Sequence, residues 1–257
     1  MKYFQLIVFL VSVTFLSGCA SLGTYNPATE RRELIFISTP SEVSMGKDIH
    51  SQLQREYEIS YDLVKTGRLK NIGQRLAQVS DRQDFKYNFY LINKDEMNAF
   101  TTPGGNIYFF SGLLDKLTSD DEVASVLAHE IGHCAARHTV KKFQAALGYD
   151  LIGSILLSQV SPENQMRNVL LRSSNTVMSL IFSAYGRQDE FESDHLGLKY
   201  MHLAGFNLDG MIKAFEVLEQ NSKGDGRIPL ILRTHPYIKD RIIKVKDEIT
   251  RYKKAAP

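Results

Sequence analysis

The sequence of 257 residues is poor in cysteine and has no strong excess of either charge. It contains two cysteines, and its formal net charge at pH 7 is +2. A balance so close to neutrality predicts no nucleic-acid partner. No internal repeat or low-complexity run is present, and 43% of the residues are hydrophobic. The composition is therefore typical of a globular protein with one large domain or two small ones.

Long hydrophobic runs are also scarce, and the one at the N-terminus indicates a processing signal. Lys2 precedes the apolar run Tyr3–Leu16, which is too short for a permanent membrane anchor. The run ends in Leu-Ser-Gly-Cys, which resembles the bacterial lipobox. Residues 1–18 are therefore predicted to be a lipoprotein signal peptide, with Cys19 as the lipidated N-terminus; a plain signal peptide is the alternative. Because Ala20 follows in place of an aspartate, we expect an outer-membrane anchor facing the periplasm of a Gram-negative bacterium.

The central feature of the chain is the sequence His-Glu-Ile-Gly-His, which lies within a predicted helix, Ser119–Thr139. The helix begins with residues at capping-box spacing and continues with apolar residues at helical intervals. His129 and His133 are four positions apart, so they lie on one face of this helix. Two imidazoles placed in this way can bind one zinc ion, and the neighbouring Glu130 is a candidate general base.

A catalytic zinc site needs a third protein ligand and an open position for water. His138 is predicted to face away from His129, since nine helical residues amount to about 180° of rotation. Glu190 and Asp194 stand four positions apart on a second helical run and share a face, whereas Glu192 points elsewhere. Glu190 is therefore predicted to be the third ligand. Asp194 would accept a hydrogen bond from one of the two ligand histidines and fix its tautomer.

Short β-rich stretches precede the zinc helix and predict three strands, over residues 87–92, 97–101 and 106–110. Their order before the helix resembles thermolysin-like architecture, in which an edge strand above the metal pairs with an extended substrate. An ordinary core hairpin is the alternative. The predicted substrate strand contains Asn98, Ala99 and Phe100.

Two further apolar segments, 147–160 and 169–185, contain scattered glycine and serine and are too short to span a membrane. They are predicted to be buried helices, or alternatively a mobile cover over the cleft.

Taken together, these motifs resemble the HtpX and CAAX-prenyl-protease type of zinc metalloprotease, a gluzincin family. The resemblance is carried by Asn-Ala-Phe at 98–100, His-Glu-Ile-Gly-His at 129–133, Glu-x-x-x-Asp at 190–194 and His-Pro at 235–236. It is strongest to the periplasmic BepA-like and LoiP-like members and covers nearly all of residues 40–252. It implies one zinc ion per chain, bound by His129, His133 and Glu190.

The resemblance also draws attention to His235, which matches the family's late His-Pro element. It implies that the imidazole lies over the zinc, either as a hydrogen-bond donor to the tetrahedral oxyanion or as a fourth ligand that keeps the enzyme latent. A solvent-exposed histidine at the entrance of a C-terminal helix, Tyr237–Tyr252, is the alternative.

These observations predict an α+β, mainly α, zincin-like metalloprotease domain with a small sheet whose edge strand borders the active-site cleft. The domain is expected to cover residues 41–252, preceded by a lipidated tether over residues 19–40 and followed by a tail over residues 253–257.

The predicted function is that of a zinc endopeptidase of the bacterial cell envelope, in which Glu130 takes a proton from a zinc-activated water. The family resemblance implies that the substrates are unfolded or misassembled envelope proteins. Membrane contact would be made through lipidated Cys19. The alternative is a zinc-stabilised, chaperone-like assembly factor for outer-membrane proteins with weak or latent proteolysis.

Overall fold

The computed structural model describes residues 23–157, 174–222 and 228–255. Within these ranges the chain forms ten helices and two small sheets, which confirms the predicted mainly helical α+β class. The elements are β1 (Thr24–Asn26), β2 (Arg31–Glu33), α1 (Thr39–Glu56), α2 (Leu63–Gln78), β3 (Asn88–Ile92), β4 (Ala99–Thr102), β5 (Asn106–Phe110), α3 (Ser111–Leu114), α4 (Asp120–Ala135), α5 (His138–Leu157), α6 (Ser174–Ile181), α7 (Arg187–Leu203), α8 (Asp209–Ser222), α9 (Leu230–Thr234) and α10 (Ile238–Ala255).

The larger sheet has the strand order β3-β5-β4, so β4 lies at an edge as the sequence predicted. β5 pairs in parallel with β3 and antiparallel with β4. Side chains alternate across β5 because successive residues of a strand point to opposite faces. Ile107 and Phe109 join the main core with α2 and α4, whereas Tyr108 and Phe110 pack in a second cluster with α1. The sheet therefore holds the N-terminal half of the chain against α4.

Two glycines allow α4 and α7 to cross at very short range. A Cβ atom at Gly132 would lie 2.8 Å from the carbonyl oxygen of Ser193, and one at Gly197 would lie 3.3 Å from the backbone nitrogen of His129. Side chains at these positions would force the helices apart. Their absence brings the acidic face of α7 against the histidine face of α4.

The predicted single helix Ser119–Thr139 is wrong at its C-terminal end. Ser119 caps α4 by accepting a hydrogen bond from the amide of Glu122, as expected, but α4 ends at Ala135. Arg137 then takes a left-handed conformation with φ of 57°, and α5 starts at His138. The change of direction turns His138 back toward the cluster, so the prediction that it faces away is also wrong.

Other boundaries shift by smaller amounts. The C-terminal helix begins after Pro236 and continues to Ala255, so the predicted tail at 253–257 starts inside a helix. Part of the predicted tether forms the β1–β2 hairpin, which the Arg31–Glu192 and Lys141–Glu33 ion pairs hold to the domain. The predicted signal peptide, Cys19 and segment 158–173 lie outside the described residues. Among the helices described, none is both long and apolar enough to cross a bilayer.

Candidate metal centre

Four side chains from three parts of the fold converge on one buried point. They are His129 and His133 on α4, Glu190 on α7 and His235 directly after α9, and their ligand atoms all lie within 4.8 Å of one another. The Nε2 atoms of His129 and His133 are 3.1 Å apart. His235 Nδ1 lies 3.2 Å from His129 Nε2 and 3.1 Å from Glu190 Oε1. The solvent-exposed alternative for His235 is wrong, since only 2% of the residue is exposed.

The donor atoms and their spacing fit a zinc ion. Zinc takes imidazole nitrogen and carboxylate oxygen at about 2.0–2.1 Å, so tetrahedral ligands lie roughly 3.3 Å from one another. Close separations within the cluster include 3.1 Å between the two Nε2 atoms of α4 and 3.5 Å between His129 Nε2 and Glu190 Oε2. Burial keeps the pKa of His133 well below its usual value. The imidazole is therefore neutral, which is the form that binds a metal.

His129 is oriented by a carboxylate on its outer side. Its Nδ1 lies 2.9 Å from Asp194 Oδ1, so the Nδ1–H can donate to the carboxylate while Nε2 faces the cluster. Arg241 donates to both Asp194 oxygens at 2.7 Å. Burial alone would raise the pKa of Asp194, but the charge of Arg241 and the hydrogen bonds from Arg241 and His129 together outweigh burial and hold the pKa below its usual value. Asp194 is therefore ionised.

Arg241 also reaches Glu190, with 2.6 Å between Nη1 and Oε2. Glu190 is completely buried, and burial alone would raise its pKa. The charge of Arg241, together with the neighbouring imidazoles, outweighs burial and holds the pKa well below the ordinary value. The guanidinium of Arg241 thus helps to keep two carboxylates of α7 ionised at the metal centre. Arg241 is not among the residues predicted from the sequence, although it falls in register with the buried Val245 and Ile249 of α10.

Glu130 is fully buried beside the cluster, and neither of its carboxylate oxygens has a hydrogen-bond partner among the described residues. Its Oε1 lies 3.4 Å from His235 Nε2. Burial raises the pKa of Glu130 above its usual value. A buried carboxylate without partners costs free energy unless another group completes the site. Glu130 therefore has free acceptor capacity directed at the space next to the cluster.

His133 has neighbours that the sequence analysis did not identify. Its Nδ1 lies 3.0 Å from His138 Nδ1, and the Tyr185 ring stacks on its face with 3.8 Å between ring centroids. The Tyr185 amide donates to the carbonyl oxygen of Thr234, the residue before His235. Tyr185 thus links one side of the cluster to the segment that carries His235. A stacking tyrosine leaves no signal in the sequence, because its partner is distant along the chain.

The predicted substrate strand lies beside α4, where Thr101 Oγ1 contacts Cys134 Sγ at 2.7 Å. Ala99 and Phe100 belong to the edge strand β4, and Asn98 directly precedes it. Asn98 is completely buried, and both polar atoms of its side chain lack partners within the described chain. The Phe100 ring contacts Tyr108 and Phe182, so it packs as a core residue.

The space next to Glu130 is small. A cavity of about 30 Å³ borders His129, Glu130 and His235. That volume holds a water molecule or two but no peptide. Its other walls are largely apolar side chains of α4, α8 and α9, namely Val126, Met211, Phe215, Leu218, Ile231 and Leu232. This space therefore has room for water beside Glu130 and the metal cluster.

Comparison with known proteins matches residues 64–249 to peptidase family M48. The chain is 30% identical over 217 residues to the beta-barrel assembly-enhancing protease of Escherichia coli, covering 82% of this chain and 44% of that protein. It is 29% identical over 227 residues to the mitochondrial metalloendopeptidase OMA1 of Schizosaccharomyces pombe, covering 87% of this chain and 65% of the yeast protein. The chain thus spans less than half of the length of its bacterial relative.

The matched region contains all four residues of the metal cluster and Glu130. M48 metalloproteases use zinc, and the cluster can hold one metal ion. The prediction of a zinc metallopeptidase is therefore confirmed at the level of the family. The chain belongs to peptidase family M48.

Proposed function

We propose that the chain is a zinc endopeptidase of the bacterial cell envelope that hydrolyses peptide bonds in unfolded or misassembled envelope proteins. The observation that carries the proposal is the convergence of His129, His133 and Glu190, with the unpartnered carboxylate of Glu130 beside them. A purely structural metal site would not need this carboxylate. The similarity to a bacterial beta-barrel assembly-enhancing protease supports an envelope substrate.

The roles of the residues follow from their positions. His129, His133 and Glu190 would hold the zinc, and Asp194 would fix the tautomer of His129. Bound zinc lowers the pKa of a water molecule and polarises a carbonyl group. Glu130 would accept the proton of that water and deliver it to the leaving amine. The raised pKa of Glu130 suits both transfers, because a group that accepts and then donates a proton works best when its pKa lies near the ambient pH.

Asn98, Ala99 and Phe100 would bind the extended substrate backbone. An edge strand supplies main-chain hydrogen bonds with little preference for sequence, which suits unfolded substrates of many kinds. The unpartnered side-chain amide of Asn98 supports this role, since a substrate backbone would satisfy it. The inward packing of Phe100 means that this residue would contribute through its backbone rather than its ring.

His235 is best explained as a fourth ligand that holds the enzyme latent. Its Nδ1 lies 3.2 Å from His129 Nε2 and 3.1 Å from Glu190 Oε1, which is close to the spacing of atoms that bind the same zinc ion. Four protein ligands leave no position for water, which is the arrangement of structural zinc sites. The small volume of the cavity beside His235 supports the same interpretation. Activity would then require the segment that bears His235 to withdraw.

His235→Ala is therefore expected to raise the rate of cleavage of an unfolded substrate, by about tenfold or more if the open form is a minor state. Zinc should remain bound, because three protein ligands suffice for a catalytic site. The measurements are kcat and zinc content for wild type and variant. A fall in kcat of about 10²–10³ with zinc retained would instead assign His235 as the oxyanion donor.

The proposed location is the outer membrane, with the domain facing the periplasm and anchored through lipidated Cys19. Cys19→Ser should abolish lipidation, because the thiol that is modified is gone, and should move the protein from the detergent phase to the aqueous phase. Mass spectrometry of both forms checks the result. Equal partitioning, with no lipid mass on the wild type, would contradict the anchor.

The experiment that tests the peptidase is incubation of the purified protein with unfolded casein. We expect slow cleavage by the wild type and faster cleavage by His235→Ala, both abolished by a chelator and restored by zinc. The absence of cleavage by both zinc-loaded proteins would favour the alternative, a zinc-stabilised assembly factor. The small volume of the cavity next to Glu130 is the observation in favour of that alternative.

A further inference from the structure

The two histidines of α4 have unlike partners on their outer nitrogens. His129 Nδ1 meets a carboxylate, that of Asp194. His133 Nδ1 meets another histidine, His138, at 3.0 Å. His138 Nε2 in turn lies 3.0 Å from Glu192 Oε2. A continuous line of side chains therefore leads from the metal cluster through His138 to Glu192.

The break between α4 and α5 is what brings His138 into this line. Arg137 adopts its left-handed conformation while its Nη2 donates to the carbonyl oxygen of Ile37 at 2.6 Å and contacts Glu42 at 3.2 Å. A left-handed arginine is unfavourable without such support. Glu42 also pairs with Arg82, which donates to the last turn of α4 at the carbonyl oxygen of Cys134. Buried ion pairs thus fix the turn that aims His138 at His133.

Only one arrangement of protons satisfies every contact in this line. His133 Nε2 faces the cluster, so its lone pair must be free for the metal and its Nδ1 carries the proton. His138 Nδ1 must then accept, which places the His138 proton on Nε2. That Nε2–H donates to Glu192. In the opposite tautomer of His138, two N–H groups would point at each other across 3.0 Å.

Glu192 is well placed to accept this hydrogen bond. Arg31 reaches the other oxygen of Glu192 from the β1–β2 hairpin, with 2.5 Å between Nη2 and Oε1. His138 itself is 2% exposed, so solvent does not replace these contacts.

We propose that His138 is a positioning residue for the metal centre: it accepts the Nδ1–H of His133 and, through Glu192, fixes the ring and the tautomer in which His133 Nε2 binds zinc. The inference rests on the metal site of the proposed function. The two ligand histidines of α4 then each have a partner for the nitrogen that does not face the metal. For His129 this partner is the carboxylate of Asp194, and for His133 it is His138, which is itself hydrogen bonded to the carboxylate of Glu192.

The test uses two amide replacements that separate the nitrogens of His138. The amide of asparagine occupies the position of Nδ1 and can accept from His133, whereas the amide of glutamine reaches only the position of Nε2. Loss of an outer partner costs 10–100-fold in metal affinity in other sites, so His138→Ala and His138→Gln should each weaken zinc binding by about that factor. His138→Asn should stay within about threefold of the wild type. Zinc affinity is measured by competition with a chelator of known strength.

His195→Ala is the matched control. His195 also pairs with a glutamate, Glu248, but this pair lies on the exposed side of α7 and contacts no cluster residue among the described ones. The zinc affinity of the His195→Ala variant should equal that of the wild type. Circular dichroism of the metal-free proteins checks that every variant folds.

Two results would overturn the inference: wild-type zinc affinity in His138→Ala, or equal affinities in the asparagine and glutamine variants. Both results concern zinc alone and are independent of peptide cleavage. A chain that binds zinc in the expected order but cuts no substrate would contradict the proposed peptidase and leave the role of His138 supported. If the wild type binds no zinc, both the proposed peptidase and the proposed role of His138 lose their basis.

Discussion

Glu130→Gln is expected to abolish cleavage of an unfolded substrate while the protein keeps about one zinc ion per chain. Glutamine has the size of glutamate but cannot accept the proton of a zinc-activated water. General-base catalysis contributes about 10²–10⁴ in rate, so the loss should fall in that range or below detection. Neither oxygen of Glu130 is hydrogen bonded among the described residues, so the exchange removes no hydrogen bond seen there.

The measurement combines kcat with zinc content, and it is sharpest in the His235→Ala background if that variant is the more active one. Glu216→Gln, the same exchange at an exposed site of α8, is the control and should leave both quantities unchanged. If Glu130→Gln instead loses zinc together with activity, then Glu130 holds the site together and is not the base. Activity at the wild-type level would assign the base elsewhere.

The main features of the metal centre could be predicted because they depend on short-range helical geometry. The four-residue spacing of His129 and His133 fixes their common face. The same rule placed Glu190 and Asp194 together and Glu192 apart, and in the structure Glu190 lies in the cluster while Glu192 contacts His138. The three strands were likewise located to within about two residues from β-rich runs and a turn.

The rest of the site depends on contacts that are distant in sequence. The turn at Arg137 contains no glycine, so no local signal shows that the helix ends there; its left-handed conformation is held by Ile37 and Glu42, about a hundred residues away. The error in the helix boundary is what hid the role of His138. Arg241 was missed for a related reason, since its partners Glu190 and Asp194 lie on a different helix, α7. Its position in the buried register of α10 was the one available indication.

Glu190→Ala is expected to release the zinc. Glu190 is the only carboxylate in the proposed ligand set, and its replacement leaves three imidazoles facing the guanidinium of Arg241. The positive charge of Arg241 would then repel the metal instead of balancing a ligand. Since loss of an outer partner alone costs up to about 100-fold in affinity, loss of a direct ligand should cost more than that.

Glu192→Ala is the matched comparison, because Glu192 lies on the same helix but meets the metal centre only through His138. It should weaken zinc binding by at most about 100-fold and still purify with the metal. A second variant, Glu190→Gln, keeps the volume of the side chain and should also lose zinc, which separates loss of the ligand from loss of packing. Metal analysis after gel filtration measures all three. Should Glu192→Ala lose the zinc while both Glu190 variants retain it, the third ligand has been assigned to the wrong carboxylate of α7.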